Sequence, residues 1–172
     1  MKSSDAVVST NFDEAVQLGW LARIVAAHTP ADVGETIAAM VESRLPKAGV
    51  SVMWGLQDAS RRRSEFTTRP GIVDLLWLAQ SSAEAGLQWH PNQQQAAFRL
   101  CTLPEQVMLL IRITPQDIDN DCFASMRELL QLAGRHLRRA LEWSALKGSH
   151  QQLERSEMVQ RALFAISDLA GS

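Results

Sequence analysis

The residues of this sequence that could carry out chemistry are few. Imidazole and thiol groups occur at six positions: His28, His90, His136, His150, Cys101 and Cys122. A metal or haem site needs ligands that converge, and these residues show no paired spacing. The sequence also has no GxSxG, Walker-type or HExxH motif. We therefore expect neither a catalytic centre nor a metal site.

Aromatic residues and arginines offer different chemistry, the binding of a small molecule. Four aromatic side chains could line an apolar pocket: Trp54, Trp77, Trp89 and Phe98. Aromatic residues at strand and helix spacing are also ordinary core residues, so both interpretations stay open. Arg99 and Arg112 lie on predicted strands, where each could face solvent or direct a positive charge into a pocket for an anion.

Composition and charge exclude several classes of protein. Of the 172 residues, 46% are hydrophobic and 21% charged, so the chain is expected to fold around a sizeable core. A net charge of −2 provides no positive field for nucleic acid. The apolar run VMLLI ends at Arg112, far short of a membrane-spanning length. With two cysteines and no signal-peptide run, we expect a reducing, cytoplasmic setting.

The elements that must position these residues begin with two helices. Apolar residues from Asn11 to His28 recur at spacings of three and four, which predicts a helix buried on two sides. Thr29 as N-cap and Pro30 at the first helical position predict a second helix, which ends before Pro46.

A sheet is predicted from alternating apolar residues. We expect strands over residues 50–56, 65–68, 94–101 and 106–114, and a helix over residues 72–85. The last two strands form an antiparallel hairpin. Because Met108 and Leu110 make the last strand apolar on both sides, it should be central, with helices on both faces. A sheet covered in this way can hold a closed pocket.

The rest of the chain is predicted to be helical. A helix from Asn120 to Lys147 would be about 42 Å long at 1.5 Å per residue, which exceeds what one domain of this size can cover. Gly148 and Ser149 are expected to interrupt it before a second helix from His150 to Ala170. In that second helix, apolar residues are spaced four, three and four apart, as in a coiled coil: Val159, Leu163, Ile166 and Ala170.

The length of the terminal helix predicts a partner. Its apolar stripe would be left in water if the chain were a monomer. We expect the first and last helices of two copies to pair as a homodimer. The predicted interface consists of Leu130, Ala133, Leu137, Leu141 and Ser144.

This order of elements resembles the GAF domain, a small-molecule sensor module of bacterial signalling proteins. The resemblance covers roughly residues 15–145 and rests on VSVMWGLQD, AAFRLC, QVMLLIRI and FASMRELLQLAGRHLRRALEW. It implies an α+β fold related to the PAS domain. Such a fold has an antiparallel sheet of five or six strands, helices on both faces and a long C-terminal exit helix.

A second resemblance concerns the end of the sequence. LERSEMVQRALFAISDLAGS, residues 153–172, is similar to the linker helix that opens a following GAF domain in proteins ending in diguanylate cyclase or cyclic-di-GMP phosphodiesterase domains. This implies a sensory domain over residues 1–147 and a linker helix over residues 148–172, leading to a downstream domain. A histidine kinase could use the same geometry, but neither His136 nor His150 has the context of its acceptor histidine.

The resemblance leaves the ligand unknown. NFDE at residues 11–14 lacks the lysine of the cyclic-nucleotide type, and NDCF at residues 120–123 has Asn where the bilin motif has Asp. His90 lies in a segment that walls the pocket of related domains. The pocket implied is Trp54, Trp77, Trp89, His90, Phe98 and Arg112. We expect a non-catalytic sensor, and the alternative is a degenerate domain that only dimerises.

Overall fold

The computed structural model describes residues 4–54, 64–67, 73–81, 86–103, 105–118 and 120–171; the side chains of residues 4–13, 64–67 and 120 are not described. Its helices are α1 (Ser4–Ala26), α2 (Pro30–Arg44), α3 (Leu75–Gln80) and α4 (Asn120–Ala170), with a 3₁₀ turn at Pro115–Asp117. Its strands are β1 (Gly49–Trp54), β2 (Ser64–Thr67), β3 (Gln88–Trp89), β4 (Gln95–Cys101) and β5 (Val107–Arg112). The three consecutive arginines at residues 61–63 lie outside the described residues.

The strands form one antiparallel sheet in the order β2-β1-β5-β4-β3. Four of them have four to seven residues, whereas β3, at the edge, has only two. The apolar strand β5 is central, as its sequence predicts, because Met108 and Leu110 are buried on one face while Leu109 and Ile111 are buried on the other. The α+β class, the antiparallel sheet and the long C-terminal helix are confirmed.

We call the side of the sheet that carries α1, α2 and α4 the helix face. Alternate residues of β1, β4 and β5 point toward it and meet the helices in an apolar core. The strand residues in this core are Val50, Val52, Trp54, Ala96, Phe98, Leu100, Val107, Leu109 and Ile111. Helix α4 packs on β4 and α2, and α2 packs on β1. This core contains most of the buried hydrophobic residues of the described chain.

One glycine sets the distance between α4 and β4. A Cβ atom at Gly134 would overlap the backbone carbonyl of Leu100. The absence of a side chain therefore lets the helix backbone rest directly against the strand backbone.

We call the opposite side of the sheet the α3 face. Leu78 of α3 is fully buried there against a small apolar cluster from three strands: Met53, Ala97, Met108 and Leu110. The helix is shorter than the predicted range of 72–85. Asp74 caps its start by accepting the backbone N–H of Trp77, and the helix ends before Ser81.

The predicted interruption at Gly148 and Ser149 is wrong, since α4 runs without a break from Asn120 to Ala170. A single glycine costs a helix only about 1 kcal/mol, which the good helix formers around Gly148 offset. Among the described residues, no helix is both long and apolar enough to cross a membrane.

Candidate functional site

Polar residues of the sheet are concentrated on the α3 face. The helix face receives only apolar side chains from β1, β4 and β5. On the α3 face, the same strands present Ser51, Gln95, Arg99 and Arg112 beside the apolar cluster. Because burial of a polar group costs free energy unless it is hydrogen-bonded, these positions mark a candidate site.

One part of the site surrounds Arg112, at the end of β5. Its Nη1 atom donates a hydrogen bond of 2.9 Å to Oγ of Ser51, which is fully buried. Gly49 lies opposite Arg112 in the β1–β5 register, and a Cβ atom there would be 3.0 Å from Nε of Arg112. The missing side chain at Gly49 therefore leaves room for the guanidinium group.

Gln95 lies opposite Arg112 on the other side, in the β4–β5 register. Residues directly opposite each other in an antiparallel pair share one face, with Cβ atoms about 5 Å apart. Gln95 is only 6% exposed, and its Oε1 atom is buried without a hydrogen-bond partner in the described part of the chain. A buried acceptor left unsatisfied costs about 1–3 kcal/mol, so the position needs an explanation.

A second part of the site joins α3 to the segment before β4. Nδ1 of His90 accepts the backbone N–H of Asn92 at 3.1 Å, so the opposite ring nitrogen, Nε2, carries the proton that it shares with Asp74 Oδ2 at 3.1 Å. The ring also meets Trp77 edge to face, with centroids 4.9 Å apart. The imidazole is thus held on three sides.

The carboxylate of Asp74 takes part both in the N-terminal cap of α3 and in the contact with His90. The backbone N–H of Trp77, together with His90, holds the pKa of Asp74 below its ordinary value of 3.8. One oxygen caps α3 and the other accepts from His90. A substitution of His90 would therefore remove one of the two contacts that position the Asp74 cap of α3.

The far end of α3 is tied down by a third group of contacts. Ser81 donates from Oγ to Gln88 Oε1 at 2.8 Å, and its carbonyl oxygen accepts from Arg99 and Gln106 at 3.4 and 3.5 Å. These polar residues connect α3 to β3, β4 and the start of β5. Both ends of the helix are thus fixed to the sheet by side chains.

The predicted pocket residues do not converge. Trp54 and Phe98 are buried in the core of the helix face, where Phe98 meets Phe123 edge to face at 5.7 Å. Trp89 is half-buried against the same core. Trp77, His90 and Arg112 lie on the α3 side instead. The prediction of one pocket from all six is therefore wrong, because strand alternation sends Trp54 and Phe98 to the opposite face from Arg112.

The predicted dimer interface is also wrong. Leu130, Ala133, Leu137 and Leu141 are buried in the chain's own core on the helix face, and of the predicted set Ser144 alone is exposed. The stripe faces inward because α4 lies across β4 and α2. The large apolar residues that α4 does expose lie farther along the helix, from Trp143 onward.

Sequence reasoning missed Gln95, Ser51 and Ser81. A signal was present for the first two, since Gln95 is in phase with Ala97 and Ser51 is in phase with Met53. A polar residue in phase with buried apolar ones marks a position that needs a partner. Ser81 gave no such signal, because its role depends on where α3 ends.

The two cysteines and His136 have structural roles. Cys101 ends β4, and burial, followed by the charge of Glu105, raises the pKa of its thiol to about 11, so it is a poor nucleophile at neutral pH. Cys122, in the first turn of α4, donates to the carbonyl oxygen of Arg44. His136 contacts the carbonyl oxygen of Ala27 at 2.7 Å. Within the described ranges, no three His, Cys, Asp or Glu residues are grouped to hold a metal ion.

Comparison with known proteins adds no identification. No protein-family model matches the chain, and no curated protein is similar enough to count as a relative. The function must therefore be argued from the three groups of polar contacts on the α3 face and from the shape of α4.

Proposed function

We propose that this chain is a GAF-type sensory domain of a cytoplasmic bacterial signalling protein. In this proposal it catalyses no reaction. It binds a small molecule or partner on the α3 face and relays the bound state through its terminal helices to a downstream cyclic-di-GMP signalling domain. The order of elements and the sequence segments quoted above support the family. Residues 148–172 are then the linker to the output domain, and the protein works as a homodimer.

The observation that carries the proposal is the buried Oε1 atom of Gln95. It has no partner among the described residues, although it lies on a face that also presents Arg112 and Ser51. A ligand that brings an N–H or O–H donor to this position would satisfy the acceptor and recover the cost of its burial. The tethered imidazole of His90 lies on the same side of the sheet.

The relay is supported by the two faces of β4. Gln95 lies on the α3 face, while Phe98 and Leu100 of the same strand pack under α4 on the helix face. The contact between Gly134 and Leu100 joins the backbones of helix and strand without an intervening side chain. A ligand that shifts β4 would therefore shift α4, whose distal end carries the signal.

A thermal-shift screen tests the sensing step. The purified chain is screened with cyclic nucleotides, amino acids and organic acids, and a ligand of the native state must raise the melting temperature by mass action. We expect Gln95→Leu to abolish the shift. Gln131→Leu is the matched control, because Gln131 is exposed on α4, and it should keep the shift. If no compound stabilises the wild type, the sensing step is contradicted.

The alternative is a degenerate domain that binds no ligand and only dimerises. It is favoured by the positions of Trp54 and Phe98, which fill the core instead of lining a pocket. Under this alternative, the screen finds no ligand while the protein still assembles. The two functions are thus separated by measuring ligand binding and assembly independently.

A further inference from the structure

The distal part of α4 extends away from the domain. Leu141 is its last buried residue, and every residue from Trp143 to Ala170 is exposed. We call residues 143–170 the distal segment. At 1.5 Å per residue it is about 42 Å long, and most of the stability of a helix in a protein comes from the packing of its apolar face and not from helix propensity.

The distal segment exposes many large apolar side chains. Nine of them are 59–80% exposed: Trp143, Leu146, Leu153, Met158, Val159, Leu163, Phe164, Ile166 and Leu169. Monomeric proteins rarely expose apolar patches of more than a few hundred Å². We therefore expect a binding partner to cover at least part of this apolar surface.

The spacing of the apolar residues indicates which part of this surface suits contact with a second helix. Val159, Leu163, Ile166 and Ala170 recur four, three and four residues apart, and we call these four residues the seam. The same heptad positions farther back carry small or uncharged residues: Ala145, Ser149, Gln152 and Ser156. No charge falls on this line over the whole distal segment, so a partner helix can approach it throughout.

Five of the six charged residues of the distal segment point away from the seam, and the sixth, Arg155, flanks it four residues before Val159. Arg161 and Glu157 form an ion pair of 3.6 Å along the helix. Arg161 is two residues, about 200° around the helix, from both Val159 and Leu163. When the seam faces a partner, this pair therefore faces water, as does Asp168 between Ile166 and Ala170.

The charge of the segment indicates the kind of partner. Its three basic residues, Lys147, Arg155 and Arg161, are balanced by three acidic ones, Glu154, Glu157 and Asp168. A helix that lies on a membrane is rich in lysine and arginine on its polar face, which this segment is not. An uncharged seam on a neutral helix is complementary to a second copy of itself.

We propose that two copies of this chain pair in parallel through the seam of the distal segment. In the parallel arrangement, each apolar residue of 159–170 meets its own counterpart. A fully overlapping antiparallel arrangement would instead set these residues against the small or polar residues Ala145, Ser149, Gln152 and Ser156. The inference supplies the partner surface for the proposed relay, and it stands whether or not a ligand binds, so the two can fail separately.

Light scattering on the full chain at tens of micromolar tests the pairing. We expect a dimer for the wild type and a monomer for Leu163→Glu. Phe164→Glu is the matched control, because Phe164 is also a large, exposed apolar residue but lies off the seam, and this variant should remain a dimer. All these residues lie outside the core, so the melting temperature of the domain should change little. A monomeric wild type, or equal dissociation by the two variants, would overturn the proposal.

Disulfide trapping tests the parallel direction. Under mild oxidation, Leu163→Cys should form an interchain disulfide with its counterpart, whereas Arg161→Cys, on the outer side, should not. The wild type serves as a background control. Its Cys101 has a thiol pKa of about 11 and forms little thiolate at neutral pH. A dimer in which Leu163→Cys does not crosslink would exclude the parallel arrangement.

Discussion

The two faces of the sheet differ in the polarity of the side chains that the strands bury there. On the helix face, β1, β4 and β5 contribute only apolar side chains, which three helices seal from water. On the α3 face, the same strands contribute Ser51, Gln95 and Arg112 around a small apolar cluster. Close packing maximises stability, whereas an unsatisfied polar group reduces it. The contrast indicates that the helix face holds the fold together, and it supports our proposal that the α3 face binds a ligand.

The largest effect is expected from the helix face. Leu137→Ala should lower the free energy of unfolding by about 2–5 kcal/mol, because the side chain is fully buried and its removal leaves a cavity. Leu146→Ala, at an exposed position of the same helix, is the control and should change it by less than about 0.5 kcal/mol. Urea unfolding measures both. A small effect at Leu137 would mean that this stripe is not core.

A glycine pair tests how tightly α4 is set on β4. Gly134→Ala should cost about 1–3 kcal/mol, since its new methyl group would collide with the carbonyl of Leu100. Gly148→Ala should instead stabilise the protein by up to about 1 kcal/mol, because no atom lies within 4 Å of the added Cβ in a continuous helix. Equal melting temperatures for the two variants would contradict the close contact.

The α3 face should respond in the opposite direction. Gln95→Leu removes a buried acceptor without a partner among the described residues, so it should raise the free energy of unfolding by about 1 kcal/mol in the absence of ligand. Chemical denaturation measures this, with Gln131→Leu as the exposed control. A loss of stability would show that the Gln95 side chain supports the fold, and the contrast between the faces would weaken.

The smallest effect is a dependence on pH at Asp74. Because the backbone N–H of Trp77 and the His90 side chain lower its pKa below 3.8, the folded state binds this proton less readily than the unfolded chain. The stabilisation is present above pH 3.8 and is lost as the pH falls through the lowered value. Asp74→Asn should therefore flatten the acid side of a melting-temperature profile relative to the wild type.

The fold was predictable where one pattern decided the outcome. Alternation located β4 and β5, and Thr29 with Pro30 located the start of α2, where the Thr29 hydroxyl accepts the backbone N–H of Asp32. The length of α3 was not predictable in this way, because it depends on caps at Asp74 and Ser81 and not on apolar spacing.

The site was less predictable than the fold. The aromatic residues suggest a pocket from sequence alone, but Trp54 and Phe98 lie on the opposite face of the sheet from Arg112. Likewise, the spacing of Leu137 fits both an interface residue and a core residue. Only the packing of α4 on β4 shows that Leu137 is a core residue. Periodicity indicates that a stripe is covered, whereas tertiary structure determines what covers it.

Hydrogen–deuterium exchange tests the central claim, a regulatory site on the α3 face coupled to α4, most directly. The full chain is compared with and without the compounds of the thermal-shift panel at millimolar concentration. We expect at least one compound to slow exchange in α3 and β4 and also to change exchange in the distal segment of α4. Slower exchange confined to other regions, or an unchanged distal segment when α3 and β4 are protected, would contradict the account.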